Sequence, residues 1–147
     1  MEKELNKKKT IQLAGYIRDY YDIEEKDIKT YSPLALAYIG DGIYDLVIRT
    51  FVIEKGNAPV NKLHRKVAKM VKATAQAELF YKIEKDLTEE EMSVYKRGRN
   101  AKSFTRARNT SLKDYSTATG LESLIGYLYL TNRIQRILEL LEKQIKS

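Results

Sequence analysis

Two carboxylates stand in stretches of this chain that are otherwise apolar, and their setting points to cation chemistry. Asp41 lies between two glycines in Leu34-Ala35-Leu36-Ala37-Tyr38-Ile39-Gly40-Asp41-Gly42-Ile43-Tyr44. Glu122 is the single acid of Leu121-Glu122-Ser123-Leu124-Ile125-Gly126-Tyr127-Leu128-Tyr129-Leu130. An isolated carboxylate is costly to take out of water unless it is paired or bound to a metal. Acids on two packed helices jointly ligate Mg²⁺ while leaving positions for water and a phosphate oxygen. Such an ion polarises a phosphoryl group and lowers the pKa of bound water. The residues alone leave open a second reading, in which each acid pairs with a nearby Arg or Lys or caps neighbouring backbone. Asp45, one turn after Asp41, reads as a partner for Arg49, with a further place in the cation site as the other option.

The cationic residues are grouped as well. Between Lys96 and Lys113 there are seven Lys or Arg residues (Lys96, Arg97, Arg99, Lys102, Arg106, Arg108, Lys113) and no acid. Between Lys55 and Ala77 there are six, Lys66 and Lys69 among them, again without an acid. One such run is often only a solvated face, but two in a chain of net charge +7 point to contact with phosphates. Lys96-Arg97-Gly98-Arg99-Asn100-Ala101-Lys102-Ser103 mixes guanidinium forks with a glycine and an amide, which suits phosphate and ribose. His64 reads as an ordinary surface or packing residue. With no cysteine and one histidine, disulfides, thiolate sites and a cysteine nucleophile are excluded, and any metal is a hard cation on oxygen ligands.

The elements that position these residues read as helices. The 147 residues suggest one domain, and no stretch alternates with period two, so the fold class is all-α. A first helix is expected over about residues 3–20, with Leu5, Ile11, Leu13, Ile17 and Tyr20 on one side. Ser32 as N-cap, Pro33 at the first position and Gly56 as terminator bound a second helix whose apolar residues run all round it. That pattern belongs to a central buried helix, and it places Asp41 with the apolar stripe, away from solvent. Pro59 opens a third helix to about Ala73, and Thr74 caps a fourth reaching Glu84. Thr88-Glu89-Glu90-Glu91 is a capping box for a fifth that fades at Arg97 to Asn100. After a polar loop over about 101–115, Ser116 or Thr117 starts the Glu122 helix, and an amphipathic helix from Ile134 to Ile145 closes the chain. Asp41, Asp45 and Arg49 would each cost about 2.5–3.5 kcal/mol near a bilayer centre, so residues 34–53 are not a membrane span. The N-terminus carries no apolar signal core, so a cytoplasmic protein is expected.

The run Leu36 to Tyr44 resembles the signature helix of the ribonuclease III catalytic domain, with its Gly-Asp pair among apolar residues. Thr119-Gly120-Leu121-Glu122-Ser123-Leu124-Ile125-Gly126 resembles that family's second acidic helix. Order and separation match, the resemblance covers about residues 30–145, and no room follows residue 147 for a double-stranded-RNA-binding domain. With the Lys96–Ser103 motif, the chain is most similar to the Mini-III branch. The resemblance implies a helical bundle of about seven helices and a homodimer. It also implies an endoribonuclease that uses Mg²⁺, with Mn²⁺ as a substitute, to cut double-stranded RNA. Asp41 and Glu122 match the family's metal-binding and catalytic acids. A metal-activated water would attack phosphorus in line, leaving a 5′-phosphate and a 3′-hydroxyl. Lys66, Lys69, Lys96, Arg97, Arg99, Asn100, Lys102, Arg106 and Arg108 would grip the RNA. The implied role is maturation of the 23S ribosomal RNA precursor, with a ribosomal protein on the substrate as a possible partner. Leu34, Ala37 and Thr119 stand where full-length relatives carry further acids, so fewer protein ligands are expected. The alternatives are a non-catalytic RNA-binding or ribosome-assembly protein on the same scaffold, and a purely structural helical module.

Overall fold

Ser32, Pro33 and Gly56 bound the central helix as their residue types dictate. In the computed structural model, which describes residues 12–101 and 111–146, Ser32 Oγ accepts from the Ala35 amide at 3.1 Å and Gly56 ends the helix. The described residues form seven α-helices: α1 (Leu13–Tyr20), α2 (Pro33–Lys55), α3 (Val60–Val71), α4 (Ala73–Ile83), α5 (Glu89–Arg99), α6 (Leu112–Leu130) and α7 (Ile134–Ile145). Among the described residues there is no strand, and no helix is long and apolar enough to cross a membrane.

The core is built on the α2–α6 pair, with α4 and α5 packed against α6, α3 on α2, and α7 against α4 and α6. Tyr44, Ile48, Leu121, Leu124, Ile125 and Leu128 are wholly buried along that seam. Glycine inside a helix costs about 0.5–1 kcal/mol relative to alanine, so a buried one needs a reason. Here the reason is backbone approach. A Cβ on Gly40 would lie 1.8 Å from the Glu122 carbonyl oxygen, and one on Gly126 would lie 1.9 Å from that of Leu36. The contact is reciprocal and spaced by four residues on each helix, so the two backbones touch over one turn.

Several boundaries differ from the sequence expectations. The capping box forms as read: Thr88 Oγ1 accepts from Glu91 N and Glu91 Oε1 accepts from Thr88 N. Thr74 is not a cap. The α3–α4 joint is the single extended residue Lys72, and the Gln76 side chain satisfies the Val71 carbonyl there. The Glu122 helix starts at Leu112 on a Ser111 cap, a turn earlier than Ser116 or Thr117. Inside the helix the Thr119 hydroxyl is satisfied by donating to the Tyr115 carbonyl at 2.9 Å. Residues 3–11 of the expected first helix, Leu5 and Ile11 included, lie outside the described residues. Its described part rests on Ala14 and Gly15 and leaves Leu13, Ile17 and Tyr20 exposed.

Gly40→Ala should therefore push the two helices apart and lower the unfolding free energy by about 1–3 kcal/mol or more. Gly56→Ala, where a Cβ meets nothing within 4 Å, should stay within about 0.5 kcal/mol of wild type. Urea denaturation of both variants checks this; equal stability would remove the close crossing as the organising contact.

Candidate active site

The α2–α6 crossing decides what stands beside Asp41. Gly40 touches the Glu122 carbonyl, so the next residue along α2 comes within hydrogen-bonding reach of the Glu122 side chain. The structure brings the two predicted acids together. It corrects their burial, however: Asp41 is exposed and Glu122 is half-buried. The buried side of α2 runs through Leu36, Ala37, Gly40, Ile43, Tyr44 and Ile48, with Asp41 at its margin. The opposite side is also apolar yet uncovered, with Tyr38 82 %, Leu46 53 % and Ile53 49 % exposed. An all-round apolar helix does not reveal which side its own chain covers.

Burial and the neighbouring Asp41 carboxylate push the Glu122 carboxyl up to about 8, against which a hydrogen bond from Gln76 acts. Two like charges at this distance disfavour joint ionisation. Among the described residues neither acid has a Lys or Arg partner, which disposes of the salt-bridge alternative there. The contrast with the other acids is direct. Asp45 pairs with Arg49 at 2.6 Å, as expected. Glu91, itself buried, is held by both Nε (2.8 Å) and Nη2 (2.9 Å) of Arg136, which keeps its carboxyl below the usual range.

Two residues of the site escaped the sequence reading. Gln76, 2 % exposed, donates from Nε2 to the Val71 carbonyl (2.8 Å) and to Glu122 Oε2 (3.3 Å), while its buried Oε1 has no partner among the described residues. It was visible only as one amide in the small-residue run Ala73-Thr74-Ala75-Gln76-Ala77, an oddity of the same kind as the two acids. Tyr44 lies close enough for the Glu122 charge to act on it, and burial holds its phenol well above the ordinary value. Its hydroxyl donates to Gln144, whose Nε2 donates to the Met70 carbonyl at 2.8 Å.

The donor set suits a hard cation. It comprises two carboxylates, with no cluster of three or more His, Asp or Glu among the described residues. Mg²⁺ keeps several waters and uses one or two carboxylates plus substrate phosphates, so two acids are enough.

The basic segment is anchored to the same helix. A Cβ on Gly98 would lie 2.2 Å from Ser123 Oγ, so the last turn of α5 lies on α6 one residue from Glu122. Lys96, Arg97, Arg99 and Asn100 are exposed there. Arg99 lies 5.7 Å over the Tyr95 ring and its Nε donates to Asn100 Oδ1 at 3.3 Å. Lys102, Arg106 and Arg108 lie outside the described residues. Lys66 and Lys69 are exposed on α3, whose one buried residue is Val67.

Residues 34–133 match the family model described as the Ribonuclease III domain. The chain is 49% identical over 130 residues to the Mini-ribonuclease 3 of Clostridium tetani, covering 86% of each protein. It is 40% identical over 134 residues to that of a Thermoanaerobacter species, covering 91% of this chain and 94% of the relative. A crystal structure of a protein from Fusobacterium nucleatum superposes with a TM-score of 0.75 at 36% identity, covering 83% of this chain and 98% of that one.

The raised Glu122 carboxyl has a consequence for stability. It is protonated up to about 8 in the folded chain but only up to about 4.5 when unfolded. It therefore favours the fold at low pH and withdraws that contribution as pH rises through this window. In EDTA the melting temperature of wild type should fall more steeply between pH 5 and 8 than that of Glu122→Gln; parallel curves would show that Glu122 is not in this environment.

Proposed function

The chain belongs to the ribonuclease III family, and on that premise we propose that it is a Mg²⁺-dependent endoribonuclease that cuts double-stranded RNA and matures the 23S ribosomal RNA precursor in the cytoplasm. The observation that carries the reading is the Asp41–Glu122 pair, two carboxylates brought together without a countercharge among the described residues. A divalent cation held by both would supply charge opposite the scissile phosphate and lower the pKa of water there.

The chain's own residues do the rest. Asp41 and Glu122 bring two carboxyl groups to one point of the surface, where Asp41 is open to a duplex. Tyr44 is unsuited as a general base, because its phenol is raised and its proton is committed to Gln144. Lys96, Arg97, Arg99 and Asn100, exposed on the turn of α5 that packs on Ser123 of α6, would take flanking phosphates and riboses. A-form RNA hides most of its sequence from side chains, so shape and 2′-hydroxyls dominate recognition. The uncovered Tyr38–Leu46–Ile53 side of α2 supports a homodimer, in which one acid pair would address each strand. The family resemblance alone supports the ribosomal precursor as substrate.

Cleavage of a labelled RNA duplex should require Mg²⁺, with Mn²⁺ able to replace it. Asp41→Asn and Glu122→Gln should each lower the rate by orders of magnitude while the circular dichroism stays helical. Undiminished cleavage by both variants would end the catalytic assignment. Duplex binding indifferent to Mg²⁺ and to both acids, with no cleavage, would identify a non-catalytic RNA-binding protein instead. Arg97→Ala should weaken duplex binding and reduce the salt slope by about 1. Monomeric light scattering would remove the dimer, and unchanged 23S ends in a deletion strain would remove the proposed substrate.

A further inference from the structure

Gln76 is placed where a core residue has no reason to be polar. It sits on the first turn of α4, 2 % exposed, with Ala77 and Leu79 buried near it on the same helix. A buried amide is costly unless its groups are matched. Both recorded hydrogen bonds come from Nε2, one to the orphan carbonyl Val71 at the end of α3 and one to Glu122 Oε2, 46 residues away. The amide cannot be turned over. With Oε1 and Nε2 exchanged, an acceptor oxygen would face the Val71 carbonyl, which carries no proton in any state. The Val71 carbonyl thus fixes which end of the amide meets Glu122.

We propose that Gln76 is a positioning residue for the reaction: anchored by the Val71 carbonyl, its amide fixes the rotation of the Glu122 carboxylate against Asp41 and so presets the pair for a divalent cation. The inference rests on the cation reading of that pair. The choice of an amide follows from the charge balance. A Lys or Arg at the same place would hold Glu122 as firmly but would neutralise it, as Arg136 does Glu91, and would compete with the cation. A neutral donor orients the carboxylate and leaves its charge available. The anchor also links the site to the fold, because the Val71–Lys72 joint sets the distance from the end of α3 to Glu122.

The test compares wild type, Gln76→Met, Gln76→Asn and Glu122→Gln in two measurements: Mn²⁺ binding to RNA-free protein by calorimetry, and kcat and KM on an RNA duplex. Methionine keeps the volume without the donor; asparagine keeps the amide but falls one methylene short, so it carries the test if the methionine variant does not fold. Both Gln76 variants should bind Mn²⁺ about tenfold to a hundredfold more weakly and lose kcat to a similar degree, with KM unchanged and helical circular dichroism retained. Mn²⁺ affinity and kcat within about twofold of wild type, beside a large loss in Glu122→Gln, would overturn the proposal and leave Gln76 a staple of the α3–α4 joint. If Glu122→Gln itself bound Mn²⁺ as wild type does, the cation reading would be what fails, and the role of Gln76 would go with it.

Discussion

The α2–α6 backbone contact is the constraint on which the rest depends. Gly40 and Gly126 remove the side chains that would hold the helices apart, and each faces a carbonyl across the crossing. Two consequences follow at different scales. Along the seam, the close approach lets Ile48, Leu121, Leu124 and Leu128 interdigitate into the main core. At the crossing itself, Asp41 follows Gly40 on one helix, and Glu122, whose carbonyl faces Gly40, stands one turn before Gly126 on the other. The same contact that closes the core forces two carboxylates together, so the site is not an addition to a finished scaffold.

The protein treats its acids in two ways, and the difference separates structure from chemistry. Glu91 is buried and fully matched: it completes a capping box and takes two hydrogen bonds from Arg136, which also reaches the Asp86 carbonyl at 2.9 Å. That arrangement ties α5 to α7 and neutralises the carboxylate. Among the described residues Asp41 and Glu122 receive no such match, and a proton or a cation relieves their mutual repulsion. Around them the chain is rich in cations without placing one of the described ones on the pair. The basic turn of α5 packs on Ser123 of α6 and exposes its charges to solvent, a distribution that would draw in a polyanion while leaving the acid pair unneutralised.

What the sequence disclosed was largely local. Ser32, Pro33, Gly56 and the Thr88–Glu91 box announced their helix ends because capping is decided within a few residues, and the hydrogen bonds formed as read. The start of α6 was hidden because Ser111, Ser116 and Thr117 are all acceptable caps; the choice fell to Ser111, and Thr119, whose hydroxyl bonds the Tyr115 carbonyl, lies within the helix. Asp41 and Glu122 were detectable as acids in apolar runs, but the exposure of Asp41 was not. Burial depends on which side of α2 its partners cover, and Tyr38 and Leu46 look like core residues while lying in the open. Gln76 stood out only as an amide among small residues, because its meaning is a contact across 46 residues.

The central claim is that the crossing creates a cation site shared by Asp41 and Glu122. An anomalous-difference map from crystals grown with Mn²⁺ tests it most directly. The account predicts a peak within coordination distance of both carboxylates at the Gly40–Gly126 crossing. A peak on another set of residues, or on Asp41 without Glu122, would contradict it.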